Sequence, residues 1–120
     1  MKNTIVTAAI TFGLVSGAFA QAAEPTFKGD PDVYKVIYED ANIRLIEAIR
    51  KAGVTDKVHG HPVPSIVYSV TDCKTKQTVD GKDTQTDSTA GLARAVPVVV
   101  AHTATNTGTT DCKQLFIEKK

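Results

Sequence analysis

The stretch Gly53-Val54-Thr55-Asp56-Lys57-Val58-His59-Gly60-His61, together with Gly91-Leu92-Ala93-Arg94-Ala95-Val96-Pro97 and then His102 and Asn106, holds all three histidines of this 120-residue chain. In a strand, side chains at i and i+2 point the same way, so His59 and His61 project to one side and Gly60 to the other. A third imidazole, His102, arriving on a later strand completes a three-nitrogen set. Three protein ligands leave positions open for water or substrate, the arrangement of a metal site that can do chemistry.

Outward from that stretch the chain reads as many short strands bounded by turn residues: Tyr34–Tyr38, Ile43–Ile49, Lys57–His61, Ser65–Thr71, Thr75–Val79, Thr84–Thr86, Leu92–Val96, His102–Thr105 and Gln114–Glu118. Asp80-Gly81 is the clearest hairpin signal. Pro62 and Pro64 cannot donate to a central ladder and mark the turn after His61. Asn42 to Ala52 is ambiguous: its apolar residues at Ile43, Leu45, Ile46 and Ile49, with Gly53 after them, also suit an amphipathic helix. Periodicity alone slightly favours the helix, but Ile43-x-Leu45 and the Glu39–Asn42 turn also fit a strand. The length supports one domain, residues 33–120, after an extended lead-in at 21–32 containing Pro25, Gly29 and Pro31. Many short strands bounded by turns of this kind argue for an all-β fold, a sandwich or a barrel. Ile66, Val67, Val70, Val96, Val98 and Val100 are expected as barrel wall, and those that point inward would make the interior mostly apolar.

Residues 1–20 read as a secretory signal peptide: Lys2, an apolar run from Ile5 to Val15, and Ala18-Phe19-Ala20 as a small-x-small cleavage site. The run is too short for a permanent membrane span, which needs about 20 apolar residues. A periplasmic or secreted protein is expected, with no stable membrane insertion after cleavage. Loss of Lys2 leaves 13 basic against 13 acidic side chains. No basic cluster stands out, so a nucleic-acid partner is not implied. In an oxidising compartment the two cysteines, Cys73 and Cys112, are expected to form a disulfide. A reactive thiol or a sulfur ligand is the alternative, but neither cysteine lies in a Cys-x-x-Cys or in a histidine motif.

The spacings resemble the two motifs of the cupin superfamily of small β-barrels. The first runs Gly, five residues, His-x-His, three or four residues, Glu, six residues, Gly; Gly53, His59 and His61 match it. The second runs Gly, five residues, Pro-x-Gly, two residues, His, three residues, Asn; Gly91, Pro97, His102 and Asn106 match it. The chain departs at the glutamate, where Ser65 or Ile66 stands, at the closing glycine of the first motif (Asp72 or Cys73), and at the middle glycine of the second (Val99). The resemblance extends from about Tyr34 to the C-terminus and is to the short single-domain bacterial cupins; it implies an all-β fold, a small antiparallel β-barrel or jelly roll, and a strand in the ambiguous segment at Ile43–Ile49. It implies a divalent transition metal, Fe, Mn, Ni, Cu or Zn, held by His59, His61 and His102, with the fourth ligand unassigned. It also implies that two copies can pair through their outer sheets as a homodimer.

Imidazole suits several of these metals, so the ligand set does not choose among them. Tyr68, Ser65 and Asn106 are candidate pocket residues, and Glu47, Tyr68 and Asp72 candidate acid or base groups on neighbouring strands. Two function classes follow: a metal-dependent enzyme acting on a small molecule in an apolar barrel, of dioxygenase, isomerase or decarboxylase type, or a non-catalytic cupin that binds a metal or small ligand. Because imidazole binds metal only when neutral, affinity is expected to fall as pH drops through about 6 to 6.5.

Overall fold

A computed structural model describes residues 22–120; the expected signal peptide lies outside the described residues. One helical turn, α1 (Thr26–Gly29), precedes nine strands: β1 (Tyr34–Glu39), β2 (Ile43–Arg50), β3 (His59–His61), β4 (Ser65–Ser69), β5 (Cys73–Val79), β6 (Lys82–Ser88), β7 (Ala93–Val96), β8 (Val99–Asn106) and β9 (Cys112–Lys119). They form a five-stranded sheet in the order β1-β2-β9-β4-β7 and a four-stranded sheet in the order β3-β8-β5-β6. Every strand pairing is antiparallel. This is the jelly-roll barrel expected of alternating strands whose inner faces must be buried against one another.

The ambiguous segment is strand β2. Ile46, Ala48 and Arg50 are each at most 2 % exposed and alternate along it, while Ile43 and Ile49 lie on the outer face at 38 % and 36 %. The helical periodicity arose from adding the outward isoleucines to the inward set. Pairing on both sides, with β1 and β9, satisfies the backbone of β2 as a strand. The inner apolar cluster is small: Val33, Tyr34, Ile46, Ala48, Val67, Val96 and Phe116, with Phe27 packed against it.

The hairpin at Asp80-Gly81 closes β5 onto β6, with Val79 opposite Lys82. Asp80 and Gly81 both have positive φ, 49° and 74°, as a two-residue loop matched to the strand twist requires. The pairing runs on to Cys73 opposite Ser88, so β6 is longer than the expected Thr84–Thr86. Its sequence, Lys-Asp-Thr-Gln-Thr-Asp-Ser, carries no apolar alternation because the strand lies at the edge of its sheet, largely exposed.

The lead-in departs from the expected extended chain. It makes the single turn α1 and then lies beside β3 and β8: Gly60 N donates to Glu24 O at 2.8 Å and Ala23 N to Val100 O at 3.1 Å. A Cβ on Gly60 would come within 2.8 Å of Val100 O and 3.2 Å of Ala23 O. Only glycine admits backbone on both sides at this point, between the two histidines of β3.

Cys73 and Cys112 form a disulfide with Cα atoms 5.0 Å apart and a sequence separation of 39. It ties β5 of one sheet to β9 of the other. The chain-entropy account gives a bridge of this span about 4 kcal/mol. Replacing both cysteines with serine is therefore expected to lower the unfolding free energy by about 3 to 4 kcal/mol in denaturant titration; an unchanged midpoint would contradict the stapling role.

Candidate functional site

His59 and His61 stand on β3, and His102 on β8 directly opposite His59. All three are buried, at 0 %, 2 % and 6 % exposure. One ring nitrogen from each lies within 4.8 Å of the others. The ring centroids are 4.5 Å apart for His59 and His102, 5.0 Å for His61 and His102, and 5.4 Å for His59 and His61.

Two observations show that this donor set fits a metal ion. His59 Nδ1 donates to Lys57 O at 2.8 Å, which fixes the tautomer and leaves Nε2 as the lone pair, as a ligand histidine needs. His61 Nε2 and His102 Nε2 are 3.0 Å apart, the spacing of two nitrogens each about 2.1 Å from one ion at roughly a right angle. No fourth histidine, cysteine or carboxylate joins the group among the described residues. At the place of the missing glutamate, Ile66 points outward at 50 % exposure, and Ser65 points inward opposite Glu118.

Beside the histidines, and lining the same cavity through Tyr34 and Arg50, lies a buried charge cluster that the sequence did not point to. Arg50 donates from Nη2 to Asp56 Oδ2 at 2.8 Å and to the Tyr34 hydroxyl at 2.6 Å. Tyr34 in turn donates to Asp56 Oδ2 at 2.7 Å, and Asp56 Oδ1 accepts from Ala104 N at 2.6 Å. The Tyr34 hydroxyl lies 3.3 Å from His59 Nε2, and Asp56 Oδ1 3.8 Å from His59 Nδ1. Burial pushes the Tyr34 phenol well above its ordinary range, so it stays protonated. The signal for this cluster was the parity of β2, which puts Arg50 on the same face as Ile46 and Ala48, and the position of Asp56 three residues before His59.

The cavity beside His61 and His102 is lined in part by Arg50, Arg94, Thr75, Gln77 and Gln114. Apolar Val96, Val99 and Phe116 line the cavity beside these polar groups, while Ile66, Val98 and Val100, expected as barrel wall, lie on outer faces, each at least half exposed. The strands alternate strictly, and only every second valine can face inward.

The other candidates lie elsewhere. Tyr68, 38 % exposed, points away from the barrel interior on β4, out of phase with the buried Val67. Asn106 is buried but holds loops together, donating to Arg50 O and Thr110 O and accepting from Gly108 N. Glu47 pairs with Lys113 at 3.0 Å, on the outer face with Ile43 and Ile49, and exposed Asp72 accepts from Ala90 N at 2.8 Å. None of the five residues, Ser65 included, lines the histidine cavity.

Burial, with the neighbouring imidazoles adding to it, lowers His61 to about 3; burial and then His59 lower His102 to about 4. The expected midpoint of metal loss near pH 6 to 6.5 is accordingly moved down for these two ligands. The sign for stability follows: between the unfolded value near 6.5 and the folded values, the unfolded chain binds more protons. Metal-free protein is expected to lose stability steadily from pH 6.5 toward pH 4, by at most about 1.4 kcal/mol per pH unit for each imidazole. Unfolding titrations across that window measure this, and a His61→Gln/His102→Gln variant should flatten the slope; an equally steep slope in the variant would contradict it.

No protein-family model matches the chain, and no curated protein matches it. Solved structures do. A cupin domain from Bordetella pertussis Tohama I is 20 % identical, with a TM-score of 0.68 over 81 % of this chain and 96 % of that one. A cupin 2 conserved barrel domain protein from Salinispora arenicola is 16 % identical, with a TM-score of 0.56 over 92 % and 88 %. A cupin superfamily protein from Desulfitobacterium hafniense is 13 % identical, with a TM-score of 0.54 over 72 % and 75 %. Likeness at these identities concerns the backbone, and with the jelly-roll topology it establishes that this chain has the fold of a small cupin domain.

Proposed function

We propose that this protein is an exported cupin that holds one divalent transition metal on His59, His61 and His102 and presents it to a small molecule entering the barrel. The observation that carries the reading is the convergence of three buried imidazole nitrogens within 4.8 Å. Burial keeps His61 and His102 neutral across ordinary pH, as ligation requires. When bound, the ion would supply a Lewis acid able to acidify water or polarise a carbonyl. Lys57 O orients His59 through Nδ1, and the Tyr34 hydroxyl of the Arg50–Asp56–Tyr34 cluster lies 3.3 Å from Nε2, beside the nitrogen that would face the ion. Val96, Val99 and Phe116 contribute apolar surface to the cavity.

The fold leaves the reaction open, and reactions of dioxygenase, isomerase or decarboxylase type all remain within this proposal. A second reading, non-catalytic binding of metal or small ligand, is favoured by one observation: no Asp or Glu lines the cavity among the described residues. A reaction that relies on a protein carboxylate as acid or base is therefore disfavoured. Export is supported by the Cys73–Cys112 disulfide, which persists in oxidising compartments. Among the described residues no helix is long and apolar enough to cross a membrane.

Tag-free protein dialysed against Zn(II), Ni(II), Cu(II), Mn(II) or Fe(II) and analysed by elemental mass spectrometry is expected to retain about one equivalent of at least one metal, from pH 7.5 down to about pH 5. A His61→Ala/His102→Ala variant should retain none. Absence of stoichiometric metal in the parent protein, or equal retention in the variant, would overturn the proposal.

A further inference from the structure

The cavity next to the histidines contains a cation with no counter-charge. Arg94 stands on β7, opposite Val67 of β4 and in phase with the buried Val96, so it faces inward. It lines the same cavity as His61 and His102. Arg50, the other arginine there, is fully committed to Asp56 and Tyr34. Arg94 makes no ion pair among the described residues, and its Nε is buried without a hydrogen-bond partner. Asp87, which shares a neighbouring groove with Arg94, accepts from Gln85 Nε2 at 2.8 Å instead.

A buried donor left unsatisfied costs about 1 to 3 kcal/mol, and more when it is charged. Partial burial without compensation also lowers the Arg94 guanidinium from its ordinary value. A second unpartnered group lies in the same cavity: Thr75, 6 % exposed, has its hydroxyl buried with no partner. Gln77 and Gln114 add further amide donors to the lining. The wall thus offers a guanidinium fork, a free hydroxyl and two amides, with no protein acid to satisfy them. A guanidinium fork matches a carboxylate in two parallel hydrogen bonds. The cavity measures about 80 Å³, which limits the occupant to a handful of non-hydrogen atoms.

We infer that the ligand of this cavity is a small organic carboxylate whose anionic end pairs with Arg94 and Thr75 while its other end faces His61 and His102. The anchoring end needs only this chain's own residues; the orientation toward the histidines rests on the metal reading above.

The test is calorimetric titration of acetate, malonate and succinate, with malonamide as the neutral counterpart of malonate, into chelator-treated protein and into Zn(II)-loaded protein. Saturable binding of at least one carboxylate to the metal-free form is expected, at least tenfold tighter than malonamide where malonate binds. Arg94→Gln should weaken it tenfold or more, and Arg94→Lys should recover part of the loss. Because Arg94 has no partner to lose, Arg94→Gln should melt no lower than the parent protein, and the carboxylate should raise the melting temperature of the parent alone. No carboxylate binding to the metal-free form, no preference over malonamide, or equal affinity in Arg94→Gln would overturn the inference. Failure of Zn(II) to load would count against the metal reading only, since the carboxylate result is read on metal-free protein.

Discussion

The buried pair of Arg50 and Asp56 is the interaction on which the rest of the barrel interior depends. Its N–O distance is 2.8 Å, and both side chains are 3 % exposed or less. Removing one partner of such a pair leaves an uncompensated charge and costs about 3 to 5 kcal/mol. Asp56 also accepts from Tyr34 on β1 and from the backbone of Ala104 on β8, so one carboxylate joins both sheets. His59 is locked against this cluster on one side and against Lys57 O on the other. The cost of burying charge is thereby converted into a fixed ring orientation, which an apolar cluster of the same volume would not impose.

From that anchor the site follows by strand geometry. Gly60 lets the lead-in and β8 close in on the backbone of β3, so His59 and His61 are held without a side chain between them. The pairing of His59 with His102 then sets the third ring. The same alternation that gathers the imidazoles sends Arg94 inward and Tyr68 outward. The cavity that results is lined by cationic and polar side chains together with apolar ones, a mixture suited to a ligand with one charged end.

The fold was legible because turn residues and β-branched runs mark nearly every strand, and each of the nine expected segments overlaps one. Ends were less legible: β6 reaches Lys82 and Ser88 through polar residues of an edge strand, where no hydrophobic alternation exists to be read. The histidines were legible through their spacing and its resemblance to the two cupin motifs. Asp56, Arg50 and Arg94 were not, because a charged residue in sequence reads as solvated until the parity of its strand and its partners across the barrel are known. Tyr68 illustrates the converse: a hydroxyl near the motif, placed one residue out of phase with the interior.

X-ray absorption spectroscopy of the metal-loaded protein reads the ligand set itself. Nitrogen or oxygen neighbours at about 2.0 to 2.2 Å are expected, with the outer-shell scattering of three imidazoles and no sulfur. A spectrum fitted by one imidazole or none, or by a thiolate at about 2.3 Å, would contradict it.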